Sequence, residues 1–264
     1  MGEKDEQKEH QEIIHEQIRS GFREYEKSNL GVILSAFTAG LEIGFSIFLM
    51  GVLYTLFHGR IHPDTLHLLV SLGYPLGFIF VIIGRSELFT EQTALAIVPV
   101  LNRKASVKEL FSLWGLVLAG NLVGGILFSF FITWIGPAMG IISKEAFVEI
   151  AENMLNPEWE IIFGSAILAG WMMGLLGWLL SSSQESISRI TIVIFITVII
   201  GLGSLHHCIV GSVEVICGMI ISDTISIWDY LNFLVFAVLG NTIGGAFFVS
   251  VLKNSQLKAN NNTK

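Results

Sequence analysis

The sequence predicts an all-α integral membrane protein with six transmembrane helices, arranged as an inverted repeat of three plus three. Three observations predict this fold class. Hydrophobic residues make up 52% of the chain and charged residues only 14%, whereas soluble domains carry about 25% charged residues. Six segments are long and apolar enough to span a bilayer, and short motifs recur in the same order in both halves of the chain.

The composition also excludes several classes of function. The formal net charge is −7 and the basic residues are few and scattered, so we expect no nucleic-acid partner. No phosphate-binding loop and no nucleophile motif in a plausible setting occurs, and the glycines lie in apolar segments. We therefore expect neither an enzyme nor a bound cofactor, and no ATP-driven transport by this chain alone.

Residues 1–28 mix acids with bases and lack the apolar stretch of a signal peptide. Their apolar residues recur at helical spacing, at Ile14, Ile18, Phe22 and Tyr25. This pattern predicts a short amphipathic helix lying at the membrane surface, on the cytoplasmic side. At the other end of the chain, residues 253–264 predict a polar tail.

The six predicted spans follow from length and hydropathy, since a bilayer core about 30 Å thick requires roughly 20 apolar residues in a helix. They cover residues 29–57, 65–101, 107–136, 159–181, 190–221 and 228–252, which together form the transmembrane domain. The second and fifth are too long for a simple span, and GRSELFTEQT and GLGSLHHC interrupt them. Such polar, glycine-marked interruptions indicate discontinuous helices. The acidic segment 137–158 predicts an external loop with a surface helix.

The distribution of basic residues predicts the orientation in the plasma membrane. With the N-terminus inside, seven basic residues near the spans face the cytoplasm, and only two, Arg60 and Lys144, lie outside. The seven are Arg103, Lys104, Lys108, Arg189, Lys253, Lys258 and Lys264. Both termini are therefore expected to be cytoplasmic.

An internal repeat is visible in the glycine-rich spans. LAGNLVGGILFSF at 118–130 and VLGNTIGGAFFVS at 238–250 share the pattern GN-x-x-GG. A looser likeness links SAFTAGLEIG at 35–44 with SAILAGWMMG at 165–174. Matches in the same order across spans one to three and four to six indicate duplication.

The repeat predicts how the two interrupted helices meet. Gly120 matches Gly240, and the same separation places SELFT on HHCIV, which aligns Glu87 with His207. Because an odd number of spans separates the copies, the second copy must be inverted, and both interruptions then meet near the membrane midplane. The asparagines of the two GN-x-x-GG motifs are expected to hold the interrupted loops by hydrogen bonds, namely Asn121 and Asn241.

Ionisable groups inside spans are costly and are therefore candidates for function. Arg85 and Glu87 flank the first interruption, Glu42 and Glu214 lie within other spans, and His206 precedes His207. The carboxylates could instead form buried ion pairs, with Arg85–Glu87 or Arg85–Glu42 as the expected partners, and either histidine could satisfy backbone groups.

The motifs PLGFIFVIIGRSELFT, GNLVGG, LHHCIVG and GNTIGG, in this order across about 29–252, resemble the formate/nitrite transporter family. The resemblance implies an aquaporin-like fold, a homopentamer with one pore per protomer, and passage of small monovalent anions such as formate, nitrite or hydrosulfide. It also implies two apolar constrictions with a central histidine between them. The proton linkage would come from this histidine, since histidine titrates near neutrality.

The resemblance assigns roles to individual residues. His207 takes the place of the central histidine and Thr90 that of the loop threonine that contacts it. The constriction positions fall on Tyr74, Phe78, Leu88, Phe89 and Ile200. The sequence departs from the family pattern where His206-His207-Cys208 replaces a common Glu-His-Ser, Gly211 replaces an asparagine and Arg85 replaces a small residue. These departures indicate a divergent branch.

Two other functions remain open from the residues. His206, His207, Cys208 and Glu214 are suitable metal ligands, although adjacent helical histidines point about 100° apart and no metal-binding spacing occurs, so no metal site is assigned. A neutral-solute channel is the other alternative, because carboxylates facing a pore would repel anions. The paired Asn-Pro-Ala motifs of aquaporins are absent.

Overall fold

The computed structural model describes residues 10–251, which fold into α-helices, a final π-helical segment and short connections. The helices are α1 (His10–Glu26), α2 (Asn29–Phe57), α3 (Pro63–Ser71), α4 (Pro75–Gly84), α5 (Phe89–Leu95), α6 (Ile97–Leu101), α7 (Val107–Ala138), α8 (Lys144–Leu155), α9 (Trp159–Ser182), α10 (Ser186–Leu202), α11 (Cys208–Ile221) and α12 (Ile227–Ile243). The π-helical segment is Gly244–Val251. The predicted tail at 253–264 lies outside the described residues.

Five helical stretches in the described part are long and apolar enough to cross a membrane, judged by length and composition. They are Asn29–Phe57, Pro63–Gly84, Val107–Ala138, Trp159–Ser182 and Ile227–Phe247. The remaining apolar helices are shorter, and they include α10 and α11. The predicted fifth span therefore consists of two helices, neither of which reaches the length of a span.

Both predicted interruptions are present. The chain leaves α4 at Arg85 and α10 at Gly203, and each interruption holds one non-glycine residue in the left-handed region, Arg85 with φ 61° and Ser204 with φ 46°. Such conformations are uncommon for residues with a Cβ atom. Each is followed by an amide that donates back into the preceding helix at 3.0 Å, from Ser86 to Val81 and from Leu205 to Ile200. The two interruptions thus have the same backbone geometry.

Asn121 in α7 holds the first interruption through three buried hydrogen bonds. Its Oδ1 accepts from the Phe89 amide at 2.8 Å, and its Nδ2 donates to the carbonyls of Glu87 at 2.7 Å and of Ala36 at 2.8 Å. Because the loop lies inside the apolar core, its backbone groups need protein partners in place of water. One side chain therefore joins α2, the loop and the start of α5.

Asn241 in α12 forms the equivalent bonds in the second half. It accepts from the Cys208 amide at 2.8 Å and donates to the carbonyls of Ala166 at 2.8 Å and His206 at 2.9 Å. A serine supports each loop as well, since Ser35 Oγ accepts from the Glu87 amide at 3.1 Å and Ser165 Oγ from the His206 amide at 3.0 Å. The sequence likeness between 35–44 and 165–174 corresponds to these matching contacts.

These contacts correct the alignment of the two interruptions. Equivalent hydrogen bonds pair Glu87 with His206, and the residues preceding α5 and α11 are Leu88 and His207. The prediction that Glu87 aligns with His207 is therefore wrong by one residue. The next long helices, α7 and α12, begin with equivalent capping boxes at Ser106 and Ser226. The second half of the chain thus holds one more residue between its interruption and the next long helix.

Glycine permits the close approach of α2 and α7. A Cβ added at Gly124 would meet the carbonyl oxygen of Phe37 and would lie 3.1 Å from both Gly40 Cα and Leu41 N. Small residues let membrane helices pack backbone against backbone. A Cβ added at Gly244 would likewise meet backbone atoms of Ile167 and Trp171 in α9, so close helix packing at a glycine occurs in both halves of the chain.

We expect Gly124→Ala to lower the melting temperature of the purified protein, because the obstructing atoms belong to the rigid backbone of α2 and cannot rotate away. A loss of roughly 1–3 kcal/mol is typical of overpacking. Gly115→Ala, in the same helix, is the matched control, since nothing lies within 4 Å of the added Cβ. Equal melting temperatures for the two variants would contradict this packing.

The N-terminal helix differs from the prediction in the face that it buries. Ile13, Gln17 and Glu24 are buried, whereas Phe22 is 38% exposed. The side chain of Ile14 lies outside the described residues. α1 packs against α5, α6 and α9 rather than lying free on a surface, and Tyr25 Oη donates to the Ala96 carbonyl at 2.6 Å.

The helix predicted within 137–158 is α8. Its buried face, with Phe147, Ile150 and Met154, packs against α11. Every residue of α11 from Cys208 to Gly218 is buried, so this helix is the centre of the fold and α8 covers one end of it.

Candidate functional site

His207 and Thr90 meet where the two interruptions come together. His207 is the residue before α11, Thr90 lies in the first turn of α5, and both are fully buried. His207 Nε2 lies 2.8 Å from Thr90 Oγ1. Two residues that are distant in sequence and come from opposite halves of the chain therefore form one polar contact inside an apolar core.

The other ring nitrogen of His207 faces the backbone of α11. Its Nδ1 accepts from the amides of Ile209 and Val210, each at 3.3 Å. Since these amides can only donate, Nδ1 carries no proton, and the proton of the neutral ring is on Nε2. Nε2–H therefore donates to Thr90 Oγ1, and the hydroxyl hydrogen of Thr90 is left to donate elsewhere.

Aromatic rings lead away from this contact in one direction. The ring of Phe78 meets that of His207 edge to face at 5.3 Å, and Tyr74 stacks on Phe78 at 5.4 Å. Ile200 is fully buried in α10. Leu88 and Phe89 are buried at the start of α5, the helix that presents Thr90.

Two cavities lie on opposite sides of this buried centre in the described part of the chain. The smaller, called the α8 cavity, has a volume of about 60 Å³. Its lining is Met50, His67, Val70, Ser71, Tyr74, Ile150, Asn153, Met154, Ile200, Gly201, Ser204, Leu205 and Glu214. Tyr74 therefore lies between the α8 cavity and Phe78, and Ile200 lines the same cavity.

The larger, called the α1 cavity, has a volume of about 460 Å³ and is covered by the N-terminal helix. Its charged lining residues are Glu16, Arg23, Glu24, Lys27, Arg85, Glu87, Glu91 and Arg189. Acids and bases thus occur together at this end, whereas the α8 cavity contains a carboxylate without a basic partner of the lysine or arginine type.

Glu87 is held by Lys27, at the junction of α1 and α2. Lys27 Nζ pairs with Glu87 and, at 2.6 Å, with Glu24, and the Gln92 side chain donates to the other oxygen of Glu87. The expected Arg85–Glu87 and Arg85–Glu42 pairs are therefore wrong. Arg85 is exposed at the end of α4, where its left-handed backbone ends the helix. Glu42 lies in α2, and its Oε2 has no hydrogen-bond partner among the described residues.

Glu24 makes the docking of α1 depend on pH. Burial raises the pKa of Glu24 from 4.5 to about 7, the neighbouring Glu87 adds to the shift, and Lys27 opposes it. Because the folded-state pKa lies above the unfolded value, this group stabilises the docked helix fully below the unfolded pKa. That contribution is lost as the pH rises through about 7.

We therefore expect hydrogen exchange of the α1 amides to become faster as the pH rises from below 4.5 through about 7, after correction for the intrinsic rate. Glu24→Gln should remove this additional dependence, while Glu26→Gln, in the same helix but exposed, should retain it. An identical pH profile for the wild type and Glu24→Gln would contradict the role of this carboxyl group.

His206 is bound to the protein through both ring nitrogens. Nδ1 lies 2.9 Å from Ser165 Oγ and Nε2 lies 3.2 Å from the Met154 carbonyl. His207 is similarly occupied, and no group of three potential ligands that could hold a metal ion occurs in residues 10–251. The geometry therefore gives the metal-site alternative no support. The His206 side chain instead connects the second interruption with α8.

Sequence reasoning missed several residues of the site. Lys27 lies far from Glu87 in the chain, and only its position just before the first span hinted at a partner. Gln92 lies about one turn into α5, and its closeness in sequence to Glu87 was a signal that the two side chains could bond. Ser35 and Ser165 open the two repeated segments, so that alignment contained the signal for their matching roles.

Comparisons with known proteins agree with this architecture. The profile of the formate/nitrite transporter family matches residues 11–254. The inner membrane protein YfdC of Escherichia coli (strain K12) is 33% identical over 253 residues, which cover 93% of this chain and 78% of that protein.

Two solved structures share the fold. An FNT family ion channel superimposes with a TM-score of 0.83 at 18% identity, covering 93% of this chain and 99% of the other. A pentameric formate channel with formate bound superimposes with a TM-score of 0.76 at 22% identity, covering 87% and 98% of the two chains. Together with the family match across nearly the whole sequence, these likenesses establish that this helical membrane protein belongs to the formate/nitrite transporter family.

Proposed function

We propose that the chain is a channel or transporter for small monovalent weak-acid anions such as formate, nitrite or hydrosulfide, with passage linked to protons through His207. The contact between His207 Nε2 and Thr90 Oγ1 carries this proposal, because it is a fully buried polar pair with apolar rings beside it. The pentameric formate channel with formate bound, which shares the fold, supports the class of cargo.

The proposed mechanism starts from the cost of dehydration. An anion that enters an apolar constriction loses water, and desolvation disfavours its charged form. The Thr90 hydroxyl, which accepts from His207 Nε2–H, can donate its own hydrogen to the anion. The imidazole then stabilises the polarised hydroxyl. Any proton that reaches the anion through this pair is replaced on Nε2 by one from the water that enters behind the anion, so that His207 is neutral again after each passage. The more nearly neutral acid passes the next constriction and ionises again in water.

The two interrupted helices contribute further to this mechanism. The positive end of the α11 dipole lies at His207, and that of α5 near Thr90, so both favour a negatively charged group between them. Tyr74, Phe78, Leu88, Phe89 and Ile200 form the apolar constrictions in this scheme. Asn121 and Asn241 hold the loops in place.

The proposed assembly is a homopentamer with a pore in each protomer. Each protomer would have six spans in two inverted sets of three, and the interrupted second and fifth would meet at the centre. The matching loops around Asn121 and Asn241 support the duplication. Both termini would be cytoplasmic in the plasma membrane, so that the α1 cavity faces inward and the α8 cavity outward. In this role the chain catalyses no covalent reaction.

The test is uptake of labelled formate into proteoliposomes that contain the purified protein. Saturable uptake well above that of protein-free liposomes supports the proposal. Nitrite and hydrosulfide are expected to compete with formate, whereas a large carboxylate such as gluconate is not. Protein that is folded and pentameric but gives no flux of any of the three anions would overturn it.

A second candidate, a neutral-solute channel, is favoured by one observation. Glu214 lines the α8 cavity without an ion-pair partner in the described structure, and its ionised form would repel anions. Osmotic swelling of the same proteoliposomes in glycerol or urea separates the two functions. Rapid swelling without formate uptake would favour the neutral-solute channel.

A further inference from the structure

Glu214 is a buried carboxylic acid that the proposed mechanism does not use. It lies in α11, to one side of the His207–Thr90 contact, and is 3% exposed. It lines the α8 cavity together with Tyr74 and Ile200. No described residue donates a hydrogen bond to its carboxylate or pairs with it. A buried, unpaired ionisable group inside a membrane protein is costly, and the α8 cavity that Glu214 lines offers water a route to it.

Within residues 10–251, the lining of the cavity around Glu214 contains no lysine or arginine. The lining includes Met50 from α2, Ile150 and Met154 from α8, and Gly201 from α10, none of which titrates. The titratable groups that share the cavity are His67 of α3 and Tyr74 between α3 and α4. His67 Nε2 lies 3.0 Å from the Leu202 carbonyl, which occupies that nitrogen.

Among the described residues, no lysine or arginine of the remaining helices beside α11 lines the α8 cavity either. From α12, Tyr230 donates its hydroxyl to Ser212 Oγ at 3.3 Å, and from α7, Ser129 Oγ donates within its own helix. On α11 itself, Cys217 is a buried free thiol. The charge of an ionised Glu214 would therefore be uncompensated in a cavity of about 60 Å³.

An ionised Glu214 and an anion in this small volume would repel each other strongly, since water screening is largely lost there. Protonation removes the repulsion and leaves a carboxyl O–H that can donate a hydrogen bond to the anion. Glu87, at the opposite end, is different, because Lys27 neutralises it. The two ends of the proposed pathway thus treat an approaching anion unequally.

We propose that Glu214 is a proton-binding selectivity residue at the α8 cavity, and that small anions pass this point only while its carboxyl group is protonated. The inference rests on the proposed function, because it requires an anion pathway through this cavity. It gives the α8 side a pH dependence that is separate from the one at His207. The proton stays on Glu214, and no bond to the anion forms.

The test compares formate flux of the wild type, Glu214→Gln and Glu214→Asp as the pH on the α8 side is varied alone. Glutamine imitates the protonated acid, so we expect Glu214→Gln to conduct roughly tenfold or more faster than the wild type at alkaline pH on that side. At acidic pH the two should be similar, and Glu214→Asp should keep a fall in flux with rising pH. The dependence on the pH at the α1 side should be unchanged.

Glu42→Gln is the matched control, since Glu42 is another carboxylic acid inside a long helix but does not line the α8 cavity, and it should behave as the wild type. An increase in flux that is confined to alkaline pH on the α8 side cannot result from misfolding, since leakage would raise the flux at every pH. A Glu214→Gln protein with the wild-type pH profile, or with lower flux at every pH, overturns the inference while leaving the proposed function intact. Absence of formate flux in the wild type would instead reject the proposed function.

Discussion

His207→Asn is expected to fold and assemble normally but to lose at least about a hundredfold of the proton-linked formate flux. Asparagine can replace the Nδ1 acceptor before α11, because asparagine is a favoured residue at helix N-termini. It cannot reach Thr90 with a titratable donor, so the link between His207 Nε2 and the Thr90 hydroxyl is lost. Proton-transfer groups of this kind typically contribute 10²–10⁴-fold, which sets the expected size.

The measurement is the initial rate of formate uptake into proteoliposomes across a pH gradient. His62→Asn is the matched control, because His62 is an exposed residue that caps α3 and asparagine also caps helices well. We expect this control to retain the wild-type rate. If His207→Asn kept the wild-type rate and pH dependence, the imidazole would have no part in transport.

Asn241→Ala is expected to cause the largest loss of stability. The substitution removes the partners of the Cys208 amide and of the Ala166 and His206 carbonyls in one step. Each buried backbone group left without a partner costs roughly 1–3 kcal/mol, and no water replaces the side chain in an apolar core. We therefore expect poor accumulation in the membrane and a much lower melting temperature.

Asn121→Ala should behave in the same way, because Asn121 forms the equivalent bonds in the first half. Asn232→Ala is the matched control within α12, since Asn232 is exposed and should tolerate the change. Thermal unfolding in detergent, followed by tryptophan fluorescence, compares the three variants. A melting temperature of Asn241→Ala equal to that of Asn232→Ala would show that these bonds do not hold the loop.

The sequence allowed the helices and their interruptions to be predicted because both depend on local composition. The bilayer requires long apolar helices, and the polar and glycine residues of GRSELFTEQT and GLGSLHHC interrupt two of them. The contact of Thr90 with His207 was expected through the family resemblance alone. Nothing in the spacing of these two residues indicates it.

Features that depend on tertiary packing were harder to predict. The predicted register of the two interruptions was wrong by one residue, because the second half has one more residue between its interruption and the next long helix and no motif there marks the shift. The buried face of α1 also differs from the predicted one, because some of its apolar residues, such as Phe22, face outward. Gln17 and Glu24 are buried because α5, α6 and α9 cover them, and helical periodicity of apolar residues cannot reveal polar residues on a packed face.

The partner of Glu87 could not be deduced from the sequence. Arg85 is the nearer residue in the chain, but it is exposed where its left-handed backbone ends α4. Lys27, which directly follows α1, pairs with Glu87 instead. Glu214 presents the opposite problem. It was recognised as an ionisable residue in a span, but only the structure locates it in the α8 cavity without a basic partner.

The most direct test of proton-linked anion passage records formate uptake and internal pH at the same time in wild-type proteoliposomes, with protein-free liposomes as the reference for diffusion of formic acid through lipid. We expect the interior to acidify in proportion to the formate that the protein admits, in equimolar amounts. Rapid formate uptake without acidification beyond that of the reference would contradict the proposal and would mean that the anion crosses the His207–Thr90 centre without a proton.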